Sequence, residues 1–248
     1  MRVLDRDLLH SLDPVLWARE KLALQLDAVQ AGLLQRRGSR ELLNCCRQFG
    51  KTTVTSVGVL HELTHLPGSR VVVMAPSARQ SGLLVSAVAD LARRCEIACA
   101  PLPGGDPGLV LPCGELIALP GSEATTRGLA GVTWLIFDEA ARVSNELYHS
   151  ARAYLATTGG RCWLLSTPFG RRGFFYDEHQ AGRYAITRVT GAECPRISAA
   201  FLAEQEASMP AAWFRQEYCC EFTSVDDAVF DHDLVLQSMS SEVEPLCL

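Results

Sequence analysis

An apolar run meets Gly-Lys-Thr in the segment Leu42-Leu43-Asn44-Cys45-Cys46-Arg47-Gln48-Phe49-Gly50-Lys51-Thr52-Thr53, and a helical pattern follows. This order predicts a strand, a phosphate-binding loop and a helix whose first N–H groups face an anion. Lys51 would add a positive charge and Thr52 a ligand for Mg²⁺. Cys45 stands where the usual pattern G-x-x-x-x-G-K-[ST] has its first glycine. Taken alone, the segment therefore leaves a surface turn as an alternative.

A second segment, Trp134-Leu135-Ile136-Phe137-Asp138-Glu139-Ala140-Ala141, is an apolar run that ends in two carboxylates. It predicts a buried parallel strand. At the nucleotide edge of a sheet, Asp138 would hold the metal ion and Glu139 would act as the base on water. A solvated acidic turn is the alternative for this segment alone. The two half-motifs occur in the order that this chemistry needs, which favours a nucleotide site.

Apolar runs and helical patterns alternate along the rest of the chain, which predicts an α/β fold with a mainly parallel sheet and helices on both faces. Further parallel strands are predicted at 71–74 and 161–167, with a strand near the sheet edge at 184–190. The Pro- and Gly-rich residues 95–122 predict an antiparallel hairpin of 109–111 with 116–119. Helices are predicted over 14–34, 53–66, 77–94, 145–157, 198–208 and 211–222.

The composition limits the classes of function. The 248 residues carry a formal net charge of −5 and a pI near 5.7, which argues against coating nucleic acid through bulk positive charge. The ten cysteines form no C-x-x-C pairs and predict buried thiols in a reducing cytoplasm. No signal-type core or membrane-spanning run is visible, so no membrane association is expected.

Two residues away from these segments are candidates for contacts with a nucleotide. Gln30 precedes the phosphate loop, and its amide could read an adenine edge, with a solvent-facing glutamine as the alternative. Arg127 lies in the glycine-rich run 125–131 upstream of Asp138. It could reach a phosphate in its own or a neighbouring subunit, although surface arginines are commoner.

The segment that follows the strand at 161–167 has hydroxyl groups and then basic residues. Ser166 and Thr167 could sense the γ-phosphate or its attacking water, or they could simply cap the turn. Arg171 and Arg172 alternate with aromatic residues and could contact a nucleic-acid backbone, with a loop before core aromatics as the alternative.

From about residue 26 to residue 222 the chain resembles the ATPase domain of the large terminase subunit of tailed bacteriophages, a motor that pumps DNA into an empty capsid. The resemblance implies a RecA-like P-loop NTPase fold of the ASCE type, with ATP and Mg²⁺ as cofactors, in the cytoplasm of a bacterial host cell. The family tolerates loss of the first loop glycine, which accounts for Cys45. The matching motifs are Cys46-Arg47-Gln48-Phe49-Gly50-Lys51-Thr52, Phe137-Asp138-Glu139-Ala140-Ala141, Ser166-Thr167-Pro168-Phe169-Gly170 and Glu217-Tyr218-Cys219-Cys220-Glu221-Phe222.

The resemblance also implies roles for individual residues. Arg47 would add a second positive charge beside the phosphates, and Arg127 would act on phosphate, in its own subunit or across a subunit boundary. Ser166 and Thr167 would couple hydrolysis to movement of DNA. The implied nucleotide-binding residues are Gln30, Cys46, Arg47, Gln48, Phe49, Gly50, Lys51, Thr52 and Thr53, the implied metal ligands are Thr52 and Asp138, and the implied catalytic residues are Glu139, Arg127, Arg47 and Lys51.

We expect one ATPase domain over 1–222, with an N-terminal helical segment at 1–40 that supplies the adenine contact, and a linker or tail at 223–248. Full-length members of the family carry a nuclease domain after this point, and we expect no nuclease activity here. The expected partners are double-stranded DNA, the portal protein and the small terminase subunit, with a homo-oligomeric ring when active and a monomer in isolation. Two alternatives stay open, namely a helicase of the Asp-Glu-Ala box kind or a fragment of such a nucleic-acid-dependent ATPase, and an inactive prophage remnant that serves as a binding module.

Overall fold

The computed structural model describes residues 3–36, 38–105, 107–120 and 129–223, and within these ranges one eight-stranded sheet organises the chain. The strands are β1 (Arg40–Cys45), β2 (Ser69–Ala75), β3 (Ala100–Pro101), β4 (Gly108–Leu111), β5 (Gly114–Pro120), β6 (Trp134–Asp138), β7 (Arg161–Ser166) and β8 (Ala185–Val189). The helices are α1 (Val3–Leu12), α2 (Pro14–Lys21), α3 (Ala28–Arg36), α4 (Lys51–His65), α5 (Ala78–Arg94), α6 (Asn145–Arg152), α7 (Gly173–Ala181), α8 (Ala199–Ser208) and α9 (Ala211–Glu217).

The strands lie in the order β3-β4-β5-β2-β6-β7-β1-β8. From β5 to β8 every neighbouring pair is parallel, whereas β4 pairs antiparallel with both β3 and β5. In the register, Asn44 of β1 lies opposite Ser166 of β7, and Asp138 of β6 lies opposite Leu165. The carboxyl ends of β1, β6 and β7 therefore meet at one edge of the sheet.

Both faces of the sheet are covered, as the continuous apolar runs predict. Successive residues of a strand point to opposite faces, so Leu43 packs in the core on one side and Leu42 in the core on the other. The aromatic side chains divide in the same way. Trp134 and Trp163 meet edge to face on the first side, with ring centroids 4.8 Å apart. This double covering confirms the predicted α/β class.

The helix predicted over 14–34 is wrong as one element, because the chain forms two helices there. Ala23, directly after α2, has a left-handed backbone (φ 53°) that a continuing helix excludes. Asp27 then begins α3, since its Oδ1 accepts from the Gln30 N–H at 2.8 Å while Gln30 Oε1 accepts from the Asp27 N–H at 3.3 Å. This reciprocal capping box separates α3 from α2 and fixes the position of Gln30.

Other boundaries also differ from the sequence-based expectation. The alternative of a loop before core aromatics is confirmed, since residues 169–172 form a loop and Phe174 and Phe175 are buried, but these two aromatic residues lie on a helix, α7, that was not predicted. The helices predicted to reach 157 and 222 end at Arg152 and Glu217. The predicted hairpin is confirmed as β4 and β5, but β5 also pairs parallel with β2 and so belongs to the main sheet.

The prediction that the cysteines are buried thiols is correct only in part. The cysteines in the described ranges are all free thiols, and Cys99 is exposed while Cys95, Cys113 and Cys219 are half-buried. The fully buried thiols are Cys45, Cys46, Cys162, Cys194 and Cys220.

Among the helices of the described ranges, none has the length and apolar character needed to cross a membrane.

Candidate functional site

The predicted phosphate loop connects β1 to the 15-residue helix α4, which begins at Lys51. Its backbone turns at two residues with positive φ, Gln48 at 62° and Gly50 at 86°. The positive φ favours glycine at position 50, and a Cβ there would also lie 2.8 Å from Nε2 of Gln30, which would have to shift. The predicted arrangement of strand, loop and helix N-terminus is confirmed.

Cys45 explains why the first glycine of the usual pattern is dispensable here. Cys45 is the last residue of β1 and pairs in register with Val189 of β8, which is ordinary extended backbone. Burial raises the pKa of the Cys45 thiol to about 12, and it does the same for Cys46. Both thiols are therefore uncharged and pack in the core next to the loop, and they do not act as nucleophiles.

Lys51 lies over the loop, as the motif predicts. Its ammonium group donates to the carbonyl oxygens of Cys45 at 2.7 Å and Cys46 at 3.1 Å. Thr52 is half-buried on the first turn of α4, and Thr53 beside it is exposed. The loop therefore offers an anion the positive end of a helix, a lysine and a hydroxyl group.

Asp138 ends β6 as a nearly buried carboxylate, with 9% of its surface exposed. Burial, with a smaller contribution from the negative charge of Glu139, raises the pKa of Asp138 to about 6. The hydrogen bond from the Glu139 N–H and the positive charge of Lys51 lower the pKa but do not offset the rise. A cation is the partner that would offset the cost of ionising this group. The Thr52 hydroxyl and this carboxylate are the oxygen ligands that Mg²⁺ prefers, so the residues fit the ion.

The described residues contain no cluster of three or more His, Cys, Asp or Glu side chains that could hold a metal ion.

Glu139 follows with a left-handed backbone (φ 51°, ψ 42°) and begins a single 3₁₀ turn over Ala140–Arg142. For a residue with a Cβ, this conformation costs about 1–2 kcal/mol, and such strain concentrates at functional sites. The turn brings Arg142 back to Glu139, and Arg142 Nη1 donates to Oε2 of Glu139 at 2.9 Å. The side chain proposed as the base is thus held by an arginine three residues away.

Arg47 contacts Glu217, which is the last residue of α9. Its Nε donates to Oε2 of Glu217 at 2.7 Å, and its backbone N–H donates to the Glu217 carbonyl at 3.2 Å. Burial opposes ionisation of Glu217, but the Arg47 bond outweighs it and the pKa of Glu217 lies below its usual value. Arg142 Nη2 approaches the other oxygen of Glu217 at 3.5 Å. Arg142 was missed by the sequence-based interpretation, although its spacing from Glu139 is typical of a pair on one helical turn.

Ser166 is the last residue of β7 and Thr167 follows it, and both are buried. Ser166 lies opposite Asn44 in the register. Within the described residues, the Ser166 hydroxyl and the Asn44 Oδ1 have no hydrogen-bond partner. Native structures leave few buried polar atoms unpaired, so these two atoms on adjacent strand ends are candidates to bind a ligand at this edge.

Gln30 is buried against the phosphate loop, and its Nε2 donates to the Phe49 carbonyl at 3.0 Å. Arg196, which sequence reasoning missed, donates to the same carbonyl and to Oδ2 of Asp27 at 2.8 Å. No local pattern marks Arg196, because it comes from a loop far along the chain. The contact of Gln30 with adenine is untested and stays a prediction.

The basic residues predicted to meet DNA are exposed. Arg171 Nε donates to the Phe222 carbonyl at 3.2 Å, and the Arg172 guanidinium lies 5.2 Å from the centre of the Phe169 ring. Arg127 lies outside the described residues. The predicted tail at 223–248 falls outside them as well, except for Thr223.

The strand order and the site together define a class of protein. β7 lies between the phosphate-loop strand β1 and the carboxylate strand β6, and Glu139 follows the metal-type carboxylate Asp138. An additional strand and a glutamate in these places characterise the RecA-like P-loop NTPases of the ASCE type. A family model described as terminase large subunit, T4likevirus-type, N-terminal matches residues 42–237, and the chain belongs to this family, whose members are the ATPases of bacteriophage DNA packaging.

Solved structures show the same fold. The ATPase domain of the Thermus phage P74-26 large terminase superposes with a TM-score of 0.74 at 21% identity, covering 86% of this chain and 100% of that one. The HK97 bacteriophage large terminase has a TM-score of 0.69 at 18% identity, covering 85% and 55%. The large terminase of another thermophilic bacteriophage, solved in complex with ADP, has a TM-score of 0.65 at 12% identity, covering 86% and 53%. The chain thus spans about half the length of these last two proteins, and no curated protein matches its sequence.

Proposed function

We propose that this chain is the ATP-hydrolysing subunit of a motor that moves double-stranded viral DNA into a procapsid. One observation carries the proposal. The ends of β1, β6 and β7 bring Lys51, Asp138, Glu139 and Ser166 to a single edge of the sheet. Phosphoryl transfer needs little covalent chemistry from a protein, so a positioned charge set of this kind is most of what catalysis requires.

The binding step uses the phosphate loop. The N–H groups at the start of α4 and the Lys51 ammonium would hold the phosphates of ATP, and Gln30 would contact the adenine. Thr52 and Asp138 would hold Mg²⁺, which neutralises the charge that develops on the phosphates. Arg47, at the outer end of the loop, would add a second positive charge.

The chemical step uses Glu139. Its carboxylate would take the proton of the attacking water as general base, while Lys51 and Arg47 hold the γ-phosphate in line. The strained backbone of Glu139 supports this assignment, because such strain concentrates at functional sites and the turn brings the Glu139 side chain to Arg142.

The coupling step would pass through the loop after β7. Ser166 and Thr167 lie beside the nucleotide edge, and Arg171 and Arg172 follow within a few residues and are exposed. A change at the γ-phosphate would therefore reach a basic surface through one short segment. This spacing supports Arg171 and Arg172 as weak contacts to the DNA backbone.

The assembled motor would be a homo-oligomeric ring of chains that are monomers in isolation. Its other partners would be the portal protein and the small terminase subunit, by membership of the terminase family. In such a ring Arg127 would act on a phosphate of its own or of the adjacent subunit.

The test is ATP turnover by the purified protein with and without duplex DNA. We expect hydrolysis that requires Mg²⁺, stops with a chelator and rises when DNA is added. Nucleotide binding without turnover under all these conditions would contradict the proposal and favour a binding module.

A further inference from the structure

Arg142 contacts three segments of the site at once, and none of the motifs singled out in the sequence contains it. From its place among these contacts we infer that Arg142 is a positioning residue for the Glu139 carboxylate and links it to the state of Glu217 and of the loop after β7. The inference rests on the proposed function, since it assumes that Glu139 is the base. Arg142 acts through Glu139 and is not itself placed on the phosphates.

The contact with Glu139 is the tightest of the three. Arg142 Nη1 donates to Oε2 at 2.9 Å, and the Arg142 backbone N–H donates to the Glu139 carbonyl at 2.8 Å. The arginine is thus fixed at both its backbone and its side chain relative to the residue that it holds. With one acceptor position of Oε2 engaged, both lone pairs of Oε1 stay available to accept a proton from water.

The second contact makes Arg142 part of an alternating chain of charges. Glu217 accepts from Arg47 at 2.7 Å and from Arg142 at 3.5 Å, so the order is Arg47, Glu217, Arg142, Glu139. Glu217 therefore lies closer to Arg47 than to Arg142. If Arg47 turned from Glu217 to a phosphate, Glu217 would keep Arg142 as its remaining partner and would compete with Glu139 for it.

The third contact is with the loop after β7. The Arg142 guanidinium lies 4.7 Å from the centre of the Phe169 ring, and the Arg172 guanidinium lies 5.2 Å from the same centre. Phe169 thus joins Arg142 to one of the residues proposed to touch DNA. A cation–π contact of this kind couples the guanidinium to the ring, so a displacement of this loop would move Arg142 and with it the Glu139 carboxylate.

These contacts distinguish Arg142 from an ordinary surface arginine. Its side chain is 26% exposed, so the bonds are partly shielded from water. Arg152 provides a matched control, because it is 33% exposed, approaches Glu178 at 3.9 Å and lies 5.5 Å from the centre of the Tyr148 ring. Arg152 therefore has the same kinds of contact outside the site.

The experiment compares Arg142→Ala, Arg142→Lys and Arg152→Ala in the full chain with duplex DNA. We expect Arg142→Ala to lower kcat about 10- to 100-fold, the effect typical of a misplaced catalytic group. KM for ATP and the affinity for ADP should change less than about threefold, because the contact serves the chemical step and not binding. Arg142→Lys should restore part of kcat, since lysine keeps the charge but not the planar fork. Arg152→Ala should leave kcat within about twofold of the wild-type value, even if it lowers the melting temperature as much as Arg142→Ala does.

Each outcome decides between the inference and its rivals. Suppose that the wild type hydrolyses ATP and Glu139→Gln does not. Equal kcat values for Arg142→Ala and Arg152→Ala would then overturn the inference and leave the proposed function standing. Absence of turnover in the wild type would contradict both the inference and the proposed function. If Arg142→Ala failed to fold, Arg142→Lys and Phe169→Leu would decide, and wild-type kcat in both would refute the positioning role.

Discussion

Arg47 of the phosphate loop is bonded to Glu217 at the end of α9, with 2.7 Å between Nε and Oε2, although 170 residues separate the two in the chain. Their backbones are joined as well, by the Arg47 N–H and the Glu217 carbonyl at 3.2 Å. The segment after α9 continues along the same edge, where the Asn44 amide donates to the Cys220 carbonyl at 3.0 Å. The last described part of the chain therefore closes over the loop that is proposed to hold the phosphates.

The Arg47 and Glu217 side chains should contribute a small coupling energy to the stability of the fold. A double-mutant cycle with Arg47→Ala and Glu217→Ala, followed by urea unfolding, should give about 0.5–1 kcal/mol at neutral pH, because the Arg47 side chain is 62% exposed and water screens the pair. Since folding lowers the pKa of Glu217, this energy is present above the usual value of 4.5 and is lost as the pH falls below it. A coupling near zero at neutral pH, or one that grows on acidification, would contradict the assignment.

Much of the site was readable from the sequence, because its residues end apolar runs. A continuous apolar run predicts a doubly covered strand, and the carboxyl ends of parallel strands meet at one edge, so Asp138, Ser166 and the phosphate loop had to lie close together. The capping box of Asp27 and Gln30 has a local signal too, an acidic residue and a glutamine three positions apart. That signal was not recognised, because the apolar pattern continues through 22–27 and suggests one unbroken helix.

Other contacts of the site could not be predicted from the sequence, although Glu217 begins the motif 217–222. Arg196 and Glu217 come from segments far along the chain, and their polar side chains find the loop only after the sheet and α8 and α9 have placed them. Pattern reasoning works on spacing within a segment, so it cannot pair Arg47 with Glu217 across 170 positions. The contact of Arg142 with Glu217 depends on that same packing.

Glu139→Gln should bind ATP as the wild type does and hydrolyse it far more slowly. The amide has nearly the same shape as the carboxylate but cannot accept the proton of the attacking water. Binding titrations and turnover assays separate the two effects. Lys51→Ala is the companion variant, and it should weaken nucleotide binding itself. Wild-type turnover in Glu139→Gln would remove Glu139 from the mechanism.

Asp138→Asn should stabilise the metal-free protein at neutral pH while it abolishes Mg²⁺-dependent turnover. The folded-state pKa of Asp138, about 6, lies above its ordinary value of 3.8, so the stability present below pH 3.8 is lost as the pH rises through 6. Removing the charge should recover about 1–3 kcal/mol of the free energy of unfolding at pH 7.5, in the presence of a chelator.

The gain from Asp138→Asn should shrink as the pH falls toward 4, where the wild-type carboxyl is protonated. Asp90→Asn is the control, because that side chain is 65% exposed and its replacement should leave the pH dependence unchanged. A gain of stability that is the same at pH 4 and pH 7.5 would show that burial of the Asp138 charge is not its source.

Turnover should rise more than linearly with protein concentration if an arginine acts across a subunit boundary. Arg127, from the glycine-rich run at 125–131, is the sequence-based candidate, and an arginine supplied in this way is worth roughly 10³ to 10⁵ in rate. Arg127→Ala should therefore lose most of the turnover, whereas Arg79→Ala, an exposed arginine of α5, should not. Strict proportionality over a wide concentration range would place the arginine within one chain or outside the mechanism.

Duplex DNA should bind the isolated protein weakly, without sequence preference and with a steep dependence on salt. The net charge of −5 excludes overall attraction, so binding must come from local groups, and Arg171 and Arg172 are exposed beside the loop after β7. Replacing both with alanine should lower the affinity and reduce the slope of log K against log salt by about two, one for each lost phosphate contact. Arg93 and Arg94, an adjacent pair at the end of α5, supply the matched double variant, which should leave the slope unchanged. Equal slopes for both double variants would place the DNA contact on another surface, and sequence-selective binding would show that base edges rather than phosphates are read.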